Sequence, residues 1–228
     1  MKTLVISLDS ETGRARRDNL NFPYDWQRAT TFAGAPAFLK DRCRMMHNIN
    51  PRTREATIGC FASHYKIWEQ IVEHGWKDVV VCEDDARLHT EIPDPKKLPD
   101  DGACLLGGEI CEPSNWKLHE AWKRTTREGV VNGFNAGCNH IDYTLFRWRC
   151  TVAIYYPNPK VAEALLEKVR TSPRMTHIDL TLAKLWAVKY LYYPSVFDCN
   201  DGGVSQISMA TSGQSVSVLR DYQEKKVA

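Results

Sequence analysis

The sequence predicts an α/β fold with a mostly parallel central sheet flanked by helices. Three observations carry that expectation. Short apolar runs rich in β-branched residues alternate along the chain with longer stretches of helical periodicity. No segment repeats at a fixed period. The 228 residues, 43% apolar and 25% charged, are enough for one globular domain with a real core.

The elements follow in order. "TLVISL" (3–8) is a buried first strand, and "DSETGRARRDNL" opens on turn residues and continues into a basic, helical stretch. "YDWQRATTF" (24–32) reads as a second strand. Residues 33–54, with Gly, Pro, Asn and the basic Arg42, Arg44, Arg52 and Arg54, read as a long irregular excursion. "TREATIGCFASHYKIWEQIVEHGW" (53–76) is the strongest helix. Phe61, Tyr65, Trp68 and Val72 fall on one face, Ile58 and Ile71 extend it, and Gly75 is a stop signal.

A strand "DVVVCE" follows, then a turn-rich loop at 94–102 and a short strand "ACLLGGEI" (103–110) closed by two glycines. Residues 111–149, rich in Trp, Asn, Gly and charge, read as a long loop that shapes a binding surface. "CTVAIYYP" (150–157) is a strand. "NPKVAEALLEKVR" (158–170) is a helix, with Asn158 able to cap it and Pro159 suited to its first position. "HIDLTLAKLWAV" (177–188) is a second helical stretch and "KYLYYPSVF" (189–197) a late strand. One domain spans 1–217, and 218–228 is a charged tail.

The totals exclude some classes. A net charge of +2 and a pI near 8.1 are too mild to point to nucleic acid or a membrane surface. No apolar run reaches the ~18 residues of a membrane span, the first residues lack a secretory signal, and no Asn-X-Ser/Thr site occurs. These features predict a chain made and kept in the cytoplasm. The eight cysteines contain no C-x-x-C pair and read as reduced, small core residues.

The chemistry centres on "VVVCEDDARL" (79–88), where an apolar strand runs into Glu83, Asp84 and Asp85. In a parallel sheet, ligands bind beyond the carboxyl ends of the strands. Three carboxylates delivered there suit a hard divalent ion such as Mg²⁺ or Mn²⁺. Without a cation they raise one another's pKa. The same triplet also fits a solvated turn or a helix start.

The surroundings add a resemblance. Gly59, Cys60, Ser63, His64 and Trp68 on a helix, then a strand ending in Glu83-Asp84-Asp85, resemble the motif of glycosyltransferase family 25, the lipopolysaccharide-type transferases. At the front, "LVISLD" with Ser7, Arg14, Arg16 and Arg17 nearby and "QRATTFAG" also resemble it. "AIYYPNPKVAEALLEKV", "HIDLTLAKL" and "YYPSVF…VSQI" resemble its later segments, so the likeness spans most of 3–207. It implies a GT-A-like nucleotide-sugar-binding fold and a metal-dependent transfer of a hexose from a nucleotide sugar, a UDP-hexose, to a hydroxyl of a glycan or glycoprotein, with inversion. Small proteins of this kind serve bacterial surface-polysaccharide assembly or capsid glycosylation in large viruses.

The resemblance implies Asp85 as the direct ligand of Mn²⁺ or Mg²⁺, joined by Asp84, with Asp84 or Glu83 touching the ribose or donor sugar. It places Ser7 in the cofactor site. The chain has no histidine after His177, so Asp198, Asp201 or water completes the metal shell. His64 either binds donor phosphate or fixes the acidic loop, or it is a helix histidine with a satisfied ring. Asp179 is the first choice for the base that takes the acceptor proton, and Glu109 the competing one. Asp179 also fits a helix cap or first-turn acid. Gly107 and Gly108 let backbone approach a sugar or phosphate, or form a turn. Arg14, Arg16 and Arg17 meet a diphosphate or line a surface helix. Trp116, Trp122 and Trp148 offer flat faces to sugar rings or fill the core. Two rivals remain: a metal-dependent nucleotidyltransferase and a non-catalytic glycan-binding module.

Overall fold

The computed structural model describes residues 1–43, 51–111, 135–141, 147–185 and 187–199. Nine strands and five helices are present among them. The main sheet has seven strands in the order β2-β1-β3-β7-β5-β8-β6.

The chain enters through β1 (Lys2–Ser7), buried over its last four residues. Helix α1 (Glu11–Asp18) follows, its start capped by Ser10, whose side chain accepts from the Gly13 N–H. β2 (Asp25–Arg28) then pairs parallel to β1. It is four residues long, because residues 29–33 leave the sheet and turn toward α3. The region read as irregular, 33–54, instead holds helix α2 (Ala37–Arg42), and α3 already begins at Pro51. Six residues make under two turns, too few for a periodicity to show.

Helix α3 (Pro51–His74) crosses one face of the sheet. The predicted stripe is its buried face: Ile58, Phe61, Trp68 and Ile71 have no exposed surface, and Tyr65 is buried with them. Gly75 ends it with φ +63°, a conformation that favours glycine. β3 (Val79–Glu83) then pairs parallel to β1 on the side away from β2. The chain thus leaves β1 in one direction to β2 and returns over it to β3. The carboxyl ends of β1 and β3 flank that reversal, the place where open α/β sheets form a crevice.

Beyond β3 the sheet is mixed. β7 (Arg147–Tyr156) lies between β3 and β5 (Ala103–Cys111) and runs antiparallel to both. β8 (Val188–Tyr193) pairs parallel to β5, and β6 (Gly137–His140), inside the stretch read as a loop, pairs antiparallel to β8. Five of the seven strands share one direction, so the mostly parallel expectation holds in the coarse sense only. A small ribbon of β4 (Ala86–Leu88) and β9 (Phe197–Cys199) follows the acidic turn.

Alternation along the strands splits the core in two. Leu4, Ile6, Val79, Val81, Leu105 and Ile154 meet α3 and α4 (Pro159–Thr171). Val5, Val80, Cys82, Cys104 and Leu106 face Phe22, Leu98, Val196 and Phe197. α4 begins as expected, with the Asn158 side chain accepting from the Val161 N–H and Pro159 at its first position. α5 (Ile178–Lys184) is shorter than the helical stretch predicted there, because Val188 already belongs to β8. Among the described residues no helix is long and apolar enough to cross a membrane. Trp116, Trp122, Asp201 and the tail 218–228 lie outside the described residues, as does the side chain of Trp148.

Trp68 anchors this core, edge-on to Phe61 and Tyr65 at ring distances of 6.4 and 6.3 Å. Trp68→Ala leaves a large void and should cost about 3–5 kcal/mol in urea unfolding. A cost under ~1 kcal/mol would show that α3 is not packed as described.

Candidate functional site

At the reversal point lies a cleft of about 520 Å³. Ser7 and Leu8 from the end of β1, Arg16 from α1, residues 29–33 after β2, one side of α3 and the Glu83-Asp84-Asp85 turn line it. Helical and strand spacing explain this company. Glu55, Gly59, Cys60 and Ser63 step along one side of α3, and His64 lies beside Cys60 one turn on.

Gly59 is where α3 meets the chain after β2, since a Cβ there would stand 2.9 Å from the Thr30 carbonyl oxygen. Ser63 ties the same contact. Its hydroxyl accepts from the Thr30 N–H at 2.8 Å and donates back to the Gly59 carbonyl at 2.8 Å.

Asp84 is held at both of its carboxylate oxygens. Ser7 Oγ donates to one carboxylate oxygen at 2.8 Å and Arg16 Nη1 to the other at 2.8 Å. Arg17, buried and stacked over the Trp26 ring at 4.1 Å, donates to Ser7 Oγ and to the Leu8 carbonyl, both at 2.9 Å. The three arginines of α1 thus divide. Arg16 reaches the cleft, Arg17 braces the end of β1 from inside, and Arg14 is exposed away from the lining residues. Positions 14, 16 and 17 of an eight-residue helix point three ways, and only packing decides which faces the ligand.

Glu83 sits deeper. Its Oε1 lies 3.8 Å from His64 Nε2 and 4.0 Å from Cys60 Sγ. Burial, then the charges of Asp85 and Asp84, push its carboxyl well above the ordinary range, and Arg16 opposes them. His64 is 1% exposed, and burial lowers its pKa to about 4 despite nearby Asp179, so its ring is neutral at pH 7. Asp179, from α5, is pushed up to about 7 by burial and then by Glu83, while a hydrogen bond from Thr151 Oγ1 opposes the rise. It stands next to the acidic turn but is not among the residues lining the cleft.

The other sequence-predicted positions separate from this group. Gly107 packs under β9, where a Cβ would meet the Phe197 backbone oxygen at 2.7 Å, and Gly108, with φ +152°, lies at a bulge where β5 shifts against β7. Neither lines the cleft. Asp198 sits in the β4–β9 ribbon, 3.4 Å from His89 Nε2, also away from the lining. Glu109 lies in β5 opposite Cys150, and its side chain is outside the described residues.

The donor set of the acidic turn suits a hard divalent cation. Asp85 and Glu83 line the cleft beside Asp84, whose oxygens accept from Ser7 and Arg16. Cys60 and Thr151 are the participants that sequence reasoning gave no role. Cys60 had a signal, the i, i+4 spacing to His64; Thr151 had none.

Residues 1–101 match the model of glycosyltransferase family 25 (LPS biosynthesis protein). That span carries Ser7, Arg16, Cys60, His64 and the acidic turn. The inactive glycosyltransferase 25 family member 3 of Mus musculus is 60% identical over 31 residues, 14% of this chain and 5% of that protein. Its Homo sapiens counterpart, also named inactive, is 52% identical over 35 residues, 15% of this chain and 6% of that protein. The match therefore takes in only a small part of those relatives' length.

The shifts of Asp179 and His64 act on stability in opposite senses. A folded pKa raised to about 7 means that Asp179 favours folding most below its unfolded value of ~3.9, and that this help is lost as pH climbs toward 7. A folded pKa lowered to about 4 means that the help from neutral His64 is present above ~6.5 and lost as pH falls toward 4. Asp179→Asn, a neutral mimic, should therefore gain stability relative to wild type as pH rises through this range and level off above about 7. Urea unfolding of both proteins from about pH 5 to about pH 8 reads that difference, and a flat one would show that Asp179 titrates normally.

Proposed function

We propose, from the family 25 likeness of residues 1–101, that this chain binds a nucleotide-activated sugar in the cleft and transfers its hexose to a hydroxyl of a glycan or glycoprotein. The observation that carries this reading is the placement of Glu83-Asp84-Asp85, braced by Ser7 and Arg16, on the rim of a cleft at the sheet's reversal point. A GT-A-like domain with a UDP-hexose donor is the form of the reading that the motif suggests. Mn²⁺ or Mg²⁺ at Asp85 supplies positive charge to a donor diphosphate.

The chain's own residues do the rest. Arg16 brings a guanidinium to the rim, where its planar donors suit phosphate oxygens. Ser7 and Arg17 keep Asp84, and with it the turn, in place. Residues 29–33 and one side of α3 form the wall opposite the acidic turn. On this reading Asp179, raised to about 7 and standing beside the acidic turn but off the cleft lining, would have to reach the acceptor hydroxyl to take its proton, with direct displacement inverting the anomeric centre.

A second reading has its own support. The matched mouse and human proteins are named inactive, and Asp179 is hydrogen-bonded to Thr151 off the cleft lining. On that reading the cleft binds a sugar nucleotide or glycan without transfer.

A melting-temperature panel of sugar nucleotides, with and without Mn²⁺, tests the binding they share. One or two UDP-sugars should raise the melting temperature only with the metal. Asp85→Ala should abolish the rise, and Arg16→Ala should weaken donor affinity by ~10- to ~100-fold, as loss of a charge-assisted hydrogen bond does. No shift with any donor sinks the transfer reading, and no shift with acceptor glycans either sinks the binding reading as well. A shift without nucleotide release in the presence of acceptor glycans decides for binding alone.

A further inference from the structure

Where α3 meets the end of β3, three side chains of different chemistry converge. Cys60 Sγ, a ring nitrogen of His64 and a Glu83 carboxylate oxygen all lie within 4.8 Å of one another. Cys60 and His64 are one turn apart on α3, which aims both at the end of β3. Cys60 is a free thiol. His64 is 1% exposed and neither of its ring nitrogens has a hydrogen-bond partner, an arrangement that burial normally forbids.

We infer that Cys60, His64 and Glu83 form a binding site for a borderline-soft divalent ion of the Zn²⁺ class, separate from the hard-cation position at Asp85. The distances support it. Tetrahedral zinc, with bonds of ~2.3 Å to sulfur and ~2.0–2.2 Å to nitrogen and oxygen, sets its ligand atoms ~3.4–3.6 Å apart. Here the Glu83 oxygen is 3.8 Å from His64 Nε2 and 4.0 Å from Cys60 Sγ, and all three atoms lie within 4.8 Å of one another, so closing on an ion needs shifts of about 1 Å or less.

The donor set decides the metal. Sulfur and imidazole select Zn²⁺-like ions over Mg²⁺ and Mn²⁺, whose ligands are oxygens. Three protein ligands leave a fourth position, and all three residues line the cleft, so that position opens toward its contents. The ion satisfies the buried ring nitrogen and offsets part of the negative charge that Glu83, Asp84 and Asp85 concentrate there. The inference stands whether or not the chain transfers sugar.

Full-length protein stripped with chelator and titrated with Co²⁺ reads the site directly. Tetrahedral cobalt with one thiolate should give a sulfur-to-metal charge-transfer band and intense visible bands at one equivalent, displaced by Zn²⁺. Cys60→Ser should remove the charge-transfer band and lower Zn²⁺ affinity by at least ~10-fold. Glu83→Gln, a shape-preserving change at a partly exposed side chain, should lower affinity comparably while leaving the charge-transfer band. Cys104 and Cys138, whose sulfurs lie 3.9 Å apart, are the competing thiols, and Cys138→Ser should change nothing. Absence of the charge-transfer band in the wild-type protein overturns the site. So does a band that survives Cys60→Ser and disappears in Cys138→Ser. Because binding is read without donor or acceptor, its failure is distinct from failure of the transfer reading.

Discussion

The geometry of the cleft depends on one constraint: the hydrogen-bonded lock that joins the carboxyl ends of β1 and β3. These strands are parallel neighbours, so Ser7 and Asp84 arrive at the same level of the sheet. Ser7 donates to Asp84, Arg16 pairs with its other oxygen, and Arg17 holds Ser7 from beneath. One of three adjacent carboxylates is thereby neutralised within the protein. Glu83 and Asp85 line the cleft beside it, the Glu83 carboxyl raised well above its ordinary range by burial and by its acidic neighbours. A turn of three acids without this lock would splay apart in solvent; with it, like charges stay together at a fixed place.

Much of the fold was legible because it rests on local signals. The α3 stripe, the Asn158 cap and the Gly75 stop each need only a few neighbouring residues, and each is present in the structure. What local pattern does not encode is partnership. "CTVAIYYP" reads as a strand, but nothing in it says that it runs antiparallel between β3 and β5. The three-residue strands β4 and β9 and the helix α2 are too short to carry a period, and each exists through contacts made far along the chain, such as Leu88 opposite Phe197.

The site shows the same division. The triplet Glu83-Asp84-Asp85 announces itself as charge at the end of an apolar run, and the Gly59-Cys60-Ser63-His64 spacing places that face of α3 beside it. Which arginine serves the cleft was not legible. Arg14, Arg16 and Arg17 are chemically alike, and the choice falls to the packing of Arg17 on Trp26, which turns α1 so that Arg16 faces Asp84. Gly107 and Gly108 look equally apt for a phosphate loop. Their smallness serves the close approach of Phe197 and a bulge instead.

Glu83 is the residue on which the two ion chemistries of the cleft meet. Asp85 offers hard oxygen at the rim, and Cys60 and His64 offer sulfur and nitrogen inside, with the Glu83 carboxylate between them. Left without a cation, that carboxylate is driven toward its protonated form by burial and by its acidic neighbours. A metal at either proposed position would replace that proton. An ion held by the proposed trio would draw Glu83 toward α3, while an ion at the acidic turn would compete for the same carboxylate. If both proposed positions took an ion, the closeness of Glu83 to each would couple them. The sign of that coupling is fixed by charge and geometry together: two dications drawing on one carboxylate oppose each other, so occupancy of the inner position would weaken the outer.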